Sequence, residues 1–120
     1  MNNNNKNIVV AAGGTGGHIF PAVSLMDYFH KIGFESILTT DLRGLKFIDK
    51  KIMQKTVLIN SSSFNKEKKF LSTLKILQSI FKSLIILFKV KPKFVFGMGG
   101  YASFPVCLAG ILLRIPIIIY

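Results

Sequence analysis

Two glycine clusters, each placed directly after a short apolar run, constrain the fold of this chain more than any other feature. Gly-Gly-Thr-Gly-Gly-His at residues 13–18 follows an apolar run at 8–12, and Gly-Met-Gly-Gly-Tyr at residues 97–101 follows another at 94–96. Each cluster leads into a helix-like segment. A strand, a glycine turn and a helix start form an anion site, because glycine lets the backbone approach a ligand and the first helical amides lack intrahelical acceptors. Two such turns predict a sheet whose loops face a phosphorylated substrate.

The rest of the chain alternates between strand-like and helix-like segments. This order predicts an α/β fold: one Rossmann-like domain with a parallel sheet flanked by helices on both faces. Residues 1–7 are expected to form a disordered tail, and residues 60–69 a polar loop. Pro21 is expected in the first turn of a helix that ends at Gly33. The predicted strands lie at residues 8–12, 36–39, 56–59, 94–96 and 117–120, and the other helices at 44–51, 70–90 and 103–113.

The charge balance favours an anionic partner. The 120 residues include 16 Lys and Arg against 5 Asp and Glu, a formal net charge of +11. Such an excess suits nucleic acid, an anionic membrane surface or phosphorylated substrates. Nucleic acid is the least favoured of the three, because the chain carries no recognition-helix motif, RNA-binding signature or arginine cluster. The single Cys107 lies between Val106 and Leu108, which predicts a packed thiol in a reducing cytoplasm rather than a nucleophile.

One uncharged run, residues 94–113, is long enough to cross a bilayer. Its interior argues against a membrane span, because five residues that interrupt a helix fall within nine positions. The run is therefore expected to divide into a strand, a turn and a helix. The interrupting residues are Gly97, Gly99, Gly100, Ser103 and Pro105.

The helix expected at residues 70–90 carries a lysine every seven residues, which with nearby serines forms a polar arc opposite an apolar arc. Two interpretations stay open. The pattern favours a helix whose apolar arc packs on the sheet while the lysines are solvated; the alternative is a helix at a membrane surface. The polar arc contains Lys68, Lys75, Lys82 and Lys89 with Ser72, Ser79 and Ser83, and the apolar arc Leu74, Leu77, Ile80, Phe81, Leu84 and Phe88.

The first glycine cluster fails the two commonest nucleotide patterns. No lysine follows it, as a Walker P-loop requires, and Ile19 replaces the third glycine of the dinucleotide fingerprint. Asp41 does follow the second predicted strand, where a ribose-binding carboxylate would lie, so a dinucleotide site stays open. His18 ends the cluster, and its imidazole suits a general base, a hydrogen-bond partner of a phosphate or sugar, or a structural cap. His30 is interpreted as a surface residue.

The two clusters together resemble those of glycosyltransferase family 28, in particular its MurG-like peptidoglycan N-acetylglucosaminyltransferases. The resemblance rests on residues 12–21, Ala-Gly-Gly-Thr-Gly-Gly-His-Ile-Phe-Pro, and on residues 97–101. It extends to the spacing between them, to the Lys-Pro break at 91–92 and to the Arg-Ile-Pro segment at 114–116, and so covers residues 8–120.

The resemblance implies the N-terminal, acceptor domain of a GT-B enzyme. That enzyme moves GlcNAc from UDP-GlcNAc to lipid I, giving lipid II with inversion, without a metal or other cofactor. It lies peripherally on the cytoplasmic face of the bacterial inner membrane. By position, Gly14, Thr15, Gly16 and Gly17 would bind the donor or its diphosphate, with His18 as the candidate catalytic residue. The acceptor-side loop would contain Gly99, Gly100 and Tyr101, and the membrane-facing candidates are Lys75, Lys82, Lys89, Phe81 and Phe88.

The sequence departs from this family by lacking the second, donor-binding domain. The last predicted strand, residues 117–120, also stops without the loop that would follow it. The expectation is therefore a truncated N-terminal part that is inactive alone and needs a donor domain in cis or in trans. The alternatives are a subunit of a split transferase and a non-catalytic, membrane-associated module that binds diphosphates.

Overall fold

The computed structural model describes residues 6–59, 69–100 and 102–120, with the side chains of residues 69–72 left out. Strands and helices alternate along this part of the chain, as the sequence predicts. The elements are β1 Asn7–Ala11, α1 Gly16–Lys31, β2 Glu35–Thr40, a 3₁₀ helix Leu42–Phe47, α2 Lys50–Met53, β3 Thr56–Leu58, α3 Lys69–Val90, β4 Phe94–Gly97, α4 Ser103–Leu112 and β5 Ile117–Ile119.

The five strands form one parallel sheet in the order β3-β2-β1-β4-β5. β1 lies at the centre, where Val10 is in register with Leu38 of β2 on one side and Phe96 of β4 on the other. Because all the strands run in the same direction, their carboxyl ends lie at one edge of the sheet. The loops after the neighbouring strands β1 and β4 are the two glycine clusters. The predicted α/β fold is confirmed.

The core has two layers, one on each face of the sheet. β1 contributes to both, because alternate side chains of a strand point to opposite faces. Ile8 and Val10 pack with α1, whereas Val9 and Ala11 pack with α3 and α4. Continuous apolar strands of this kind are typical of parallel sheets covered on both faces. The buried helical residues are Ile19, Ala22 and Met26 on the first face, and Leu87, Val106 and Ala109 on the second.

The start of α1 differs from the prediction. The helix begins at Gly16, so Pro21 lies inside it rather than in its first turn. The reason is that the Thr15 carbonyl already accepts from the amides of His18 and Ile19, at 3.0 and 2.9 Å. At the other end Gly33, with φ of +95°, follows the helix as expected.

Two further boundaries also differ from the prediction. Asn7, which the sequence predicts in the tail, pairs in β1 with Glu35 of β2. Residues 1–5 of that tail and residues 60–68 of the predicted loop lie outside the described residues. The predicted helix at 44–51 is divided into the 3₁₀ helix and α2. The division follows from two caps: the carboxylates of Asp41 and Asp49 accept from the amides of Arg43 and Ile52, respectively.

The favoured interpretation of α3 is correct for Lys75, Lys82 and Lys89, which are exposed, but wrong for the apolar arc. Ser79 and Ser83 are buried, whereas much of the predicted apolar arc is exposed. The serine hydroxyls donate to the carbonyls of Lys75 and Ser79 in their own helix, at 2.9 and 2.7 Å, so their burial leaves no donor unpaired. Small side chains satisfied in this way can occupy the buried face of α3, and this helix packs against α4. Lys68 and the Ser72 side chain lie outside the described residues.

The uncharged run at 94–113 divides as predicted into β4, a glycine turn and α4. Among the described residues, no helix combines the length and apolar character required to cross a bilayer. Cys107 is half-buried in α4, and its burial raises the pKa of the thiol above its ordinary value. A raised pKa disfavours the nucleophilic thiolate, which agrees with the expected packed thiol.

Candidate functional site

The two glycine clusters meet in one site at the carboxyl edge of the sheet. The Gly13 amide donates to the Gly99 carbonyl at 2.8 Å, and a Cβ built on Gly13 would lie only 2.7 Å from the Gly100 Cα. Gly99 and Gly100 have φ of +99° and +88°, values that L side chains rarely adopt. Glycine is therefore required at these positions by the contact between the loops as well as by the turn itself.

The first cluster presents a helix start to solvent. Thr15 is the N-cap of α1, in an extended conformation, and Gly16 and Gly17 form the first helical positions. The amides of these two glycines lie where the helix itself offers no acceptor, at the positive end of its dipole. Gly17 is exposed, and a Cβ built there would meet no atom closer than the Thr15 Oγ1, at 3.9 Å. The backbone is thus open to an anion.

His18 lies between the two loops. Its Nδ1 is 2.8 Å from Thr15 Oγ1, and its Nε2 is 3.1 Å from the position a Cβ on Gly99 would occupy. A neutral imidazole has one protonated nitrogen, so the direction of the bond to Thr15 sets the state of the other nitrogen. When Nδ1–H donates to Thr15, Nε2 is left as an acceptor facing the second loop. The geometry therefore permits Nε2 to act as a base.

Asp41 has a structural role that the sequence did not reveal. Its carboxylate is 3% exposed and lies against Gly14, in the space that a side chain at Gly14 would need. It accepts from the Arg43 amide at 2.9 Å and from the Arg43 guanidinium at 2.8 Å. This hydrogen bond and the charge of Asp41 raise the pKa of Arg43. The carboxylate is thus committed to Arg43 and the 3₁₀ helix, which removes the support for a ribose-binding role.

Aromatic and cationic side chains flank the first cluster on the side of the 3₁₀ helix. A Cβ built on Gly16 would lie 3.2 Å from the Phe20 ring and 3.3 Å from the Phe47 ring. The two rings pack edge to face with centroids 5.6 Å apart, and Lys46 Nζ lies 5.2 Å from the centroid of Phe47. The glycine cluster is therefore held from both sides, by the second loop and by this aromatic pair.

The other predicted site residues lie apart from this edge or outside the described residues. Tyr101 belongs to the second group, so its predicted place at the acceptor is a prediction only. Within the described part of the chain, no three His, Cys, Asp or Glu side chains are grouped closely enough to hold a metal ion.

The membrane-facing candidates lie along α3, where the exposed apolar residues form one stripe. We call these residues the α3 stripe; they recur at helical spacing, so they share one face. Phe81 and Phe88 are 66% and 67% exposed, and the exposed side chains of Lys75, Lys82 and Lys89 follow one edge of the stripe. A groove of about 330 Å³, lined in part by Leu84 and Leu113, continues the apolar surface toward α4. The α3 stripe is Leu74, Leu77, Phe81, Ile85 and Phe88.

Solved glycosyltransferase structures share the fold of this chain. The chain superposes on the crystal structure of MurG from Acinetobacter baumannii with a TM-score of 0.75 and 28% identity, over 95% of this chain and 34% of that one. The glycosyltransferase SsfS6 from Streptomyces sp. SF2575 shares the fold alone, at 17% identity and a TM-score of 0.64.

Sequence relatives agree with this comparison. A UDP-N-acetylglucosamine–N-acetylmuramyl-(pentapeptide) pyrophosphoryl-undecaprenol N-acetylglucosamine transferase from Wolbachia sp. subsp. Brugia malayi is 44% identical, over 94% of this chain and 32% of the relative. The transferase of the same name from Rickettsia typhi is 40% identical, over 96% of this chain and 29% of the relative. The chain thus spans about a third of the length of these curated relatives.

The family model for the glycosyltransferase family 28 N-terminal domain matches residues 8–120. This range includes both glycine clusters and all five strands, except for Asn7 at the start of β1. With this match and the relatives at 40% identity or more, the chain belongs to glycosyltransferase family 28.

Proposed function

We propose that this chain provides the acceptor side of an N-acetylglucosaminyltransferase that moves GlcNAc from UDP-GlcNAc to lipid I. Lipid I is undecaprenyl-diphospho-MurNAc-pentapeptide, and the product is lipid II. The observation that carries the proposal is the single site formed by both glycine clusters, with His18 between them. The names of the relatives from Wolbachia and Rickettsia support the choice of substrates.

The open amides of Gly16 and Gly17 suit a diphosphate. Backbone N–H groups at a helix start are fixed before the ligand arrives, so they stabilise phosphate charge with little reorganisation. The exposed backbone around Gly17 supports this assignment. Thr15 and Gly14 complete the turn, Thr15 as the N-cap and Gly14 through its contact with Asp41. This chemistry needs no step through a bound metal.

His18 is the proposed general base. In the transfer the acceptor 4-hydroxyl oxygen forms a bond to the anomeric carbon of GlcNAc, the bond from that carbon to the diphosphate oxygen breaks, and UDP leaves. The hydroxyl proton passes to His18 Nε2, which faces the acceptor-side loop at Gly99. In the tautomer whose Nδ1–H donates to Thr15 Oγ1, 2.8 Å away, Nε2 is free to accept that proton.

A membrane surface is the proposed location of the domain. The α3 stripe exposes large apolar side chains next to a row of lysines, as on a helix that lies in a lipid interface. Each lysine near an anionic surface contributes about 1 kcal/mol to binding. The burial of Ser79 and Ser83 supports this proposal, because it turns the apolar arc outward.

A chimera tests the proposed function. This chain would replace the corresponding N-terminal part of the Acinetobacter baumannii MurG, and transfer of labelled GlcNAc to lipid I would be measured. We expect turnover by the chimera, and a loss of 10²- to 10⁴-fold in kcat on His18→Ala, the usual range for a general base. His30→Ala is the matched control, with unchanged turnover expected. A folded chimera without turnover would contradict the proposed function, whereas unchanged kcat in His18→Ala would contradict only the role of His18.

A further inference from the structure

Arg43 lies beside the site that the two glycine clusters form. The residue lies in the 3₁₀ helix, and its Cβ is 2.9 Å from the position a Cβ on Gly14 would occupy. It is one of two arginines in a chain whose other basic residues are lysines. A guanidinium is therefore fixed next to the first glycine cluster, and we infer that Arg43 is a further binding residue for the diphosphate of the substrate.

The ion pair with Asp41 prepares the guanidinium for this role. Asp41 Oδ2 accepts from Arg43 Nη2 at 2.8 Å, and Asp41 Oδ1 lies 3.4 Å from Arg43 Nε. The carboxylate is buried while the arginine side chain is 59% exposed, so the anchored edge of the guanidinium faces the protein and the rest faces solvent. A guanidinium has five N–H donors in a planar fork, and the anchored edge uses only some of them.

The position of Arg43 also fits the charge of the substrate. The amides of Gly16 and Gly17 provide partial positive charges, but a diphosphate carries formal negative charges that a cation stabilises more strongly. Asp41 alone would place a buried negative charge against Gly14, in the same cluster. Arg43 offsets that charge and keeps exposed donors, and its Cβ lies beside Gly14, two residues before the open helix start at Gly16.

This inference rests on the proposed function, and the experiment separates the two. The binding of inorganic pyrophosphate to the 120-residue chain would be measured by calorimetry for the wild type, Arg43→Gln and Arg43→Lys. A charge-assisted hydrogen bond is worth about 1.5–3 kcal/mol, so Arg43→Gln should raise Kd by roughly 10- to 150-fold. Arg43→Lys, which keeps the charge without the fork, should show a smaller rise. Lys50→Gln in α2 is the matched control, with unchanged Kd.

A double-mutant cycle distinguishes binding from mere neutralisation of Asp41. If Arg43 only offsets the carboxylate, Arg43→Gln has no effect once Asp41→Asn has removed that charge. If Arg43 contacts the diphosphate, the substitution still raises Kd in the Asp41→Asn background, and thermal unfolding of both variants confirms that they are folded. An unchanged Kd in that background would overturn the inference while the proposed function stands. Failure of the wild type to bind pyrophosphate would contradict the anion site itself.

Discussion

The contact between the two glycine loops makes Gly100→Ala a demanding test of the site. A Cβ at this position would lie 2.5 Å from the Gly13 Cα and 3.0 Å from the Gly13 nitrogen. Both are backbone atoms of the other loop, so neither can move aside as a flexible side chain would. The residue also has φ of +88°, which alanine adopts only with strain.

The expected magnitude follows from these two terms. A non-glycine residue in a disfavoured backbone region costs about 1–3 kcal/mol, and overpacking costs about 1–3 kcal/mol more. Gly100→Ala should therefore lower the free energy of unfolding by roughly 2–6 kcal/mol, measured by urea denaturation followed by circular dichroism. Domains of this size have a free energy of unfolding of about 5–15 kcal/mol. For most values in that range, Gly100→Ala should stay folded enough for its own free energy of unfolding to be measured.

Gly17→Ala is the matched control from the first cluster. Its Cβ would meet no atom within 3.9 Å, and the residue lies at the start of α1 in helical geometry. Alanine favours a helix over glycine by up to about 1 kcal/mol, so the free energy of unfolding should stay constant or rise. Pyrophosphate binding should weaken, because the new methyl group stands at the open backbone. A change in the free energy of unfolding of less than about 0.5 kcal/mol in Gly100→Ala, or an equal loss in both variants, would contradict the steric conflict between the two loops.

Three further predictions concern the second face of the sheet. Lys91 has φ of +50°, and its Nζ lies 5.9 Å from the centroid of Phe88 at the end of the α3 stripe. Lys91→Gly should therefore raise the free energy of unfolding by about 1 kcal/mol and weaken binding to anionic vesicles about fivefold in a sedimentation assay. Equal vesicle binding would show that this end of the stripe does not lie against lipid. Phe81→Ser should reduce vesicle binding with little loss of stability, because Phe81 is 66% exposed. Leu87→Ala should lower the free energy of unfolding by about 2–5 kcal/mol, because Leu87 is 1% exposed. The reverse order of stabilities in urea denaturation would show that the opposite face of α3 is buried. Burial raises the pKa of the Cys107 thiol, so alkylation by iodoacetamide should be slow at pH 8 and accelerate only above the ordinary pKa of cysteine; a free-thiol rate at pH 8 would contradict the packing.

The sheet and the joined loops were predictable because they depend on local and periodic signals. Continuous apolar runs marked the strands, and glycine directly after two of them marked the carboxyl edge. Parallel pairing then required β1 and β4 to bring both clusters to one side, and their adjacency in the sheet completed the site. Pro21 predicts a later start of α1 because proline suits a first helical turn, but glycines can also form that turn, and the helix begins at Gly16.

The orientation of α3 could not be predicted from its periodicity. Lysines at a spacing of seven and the serines beside them define a polar arc, and a polar arc normally faces solvent. The structure separates the two residue types: the lysines are exposed, but Ser79 and Ser83 face inward because their hydroxyls bond to their own helix. A serine that satisfies itself in this way behaves as a small core residue, and no pattern of polarity distinguishes it from a solvated one.

The role of Asp41 could not be predicted from the sequence either. Its position after β2 suggested a ligand-binding carboxylate, whereas the structure shows a cap of the 3₁₀ helix and an ion pair with Arg43. The available signal was the spacing Asp-x-Arg directly after a strand, followed by Gly44. An aspartate and an arginine at this spacing often do not form an ion pair. The function of Asp41 in the site is identified only by its contact with Gly14, which lies in a different loop.

We propose that the two glycine clusters form one diphosphate-binding site on the acceptor side of the transfer. The most direct test is a titration of the ¹⁵N-labelled chain with a water-soluble lipid I analogue that carries a shortened prenyl chain. We expect saturable shift changes concentrated at the amides of Gly16, Gly17 and His18, and simultaneously at those of Gly99 and Gly100. Changes confined to one cluster, or the same changes with an analogue that lacks the diphosphate, would contradict it.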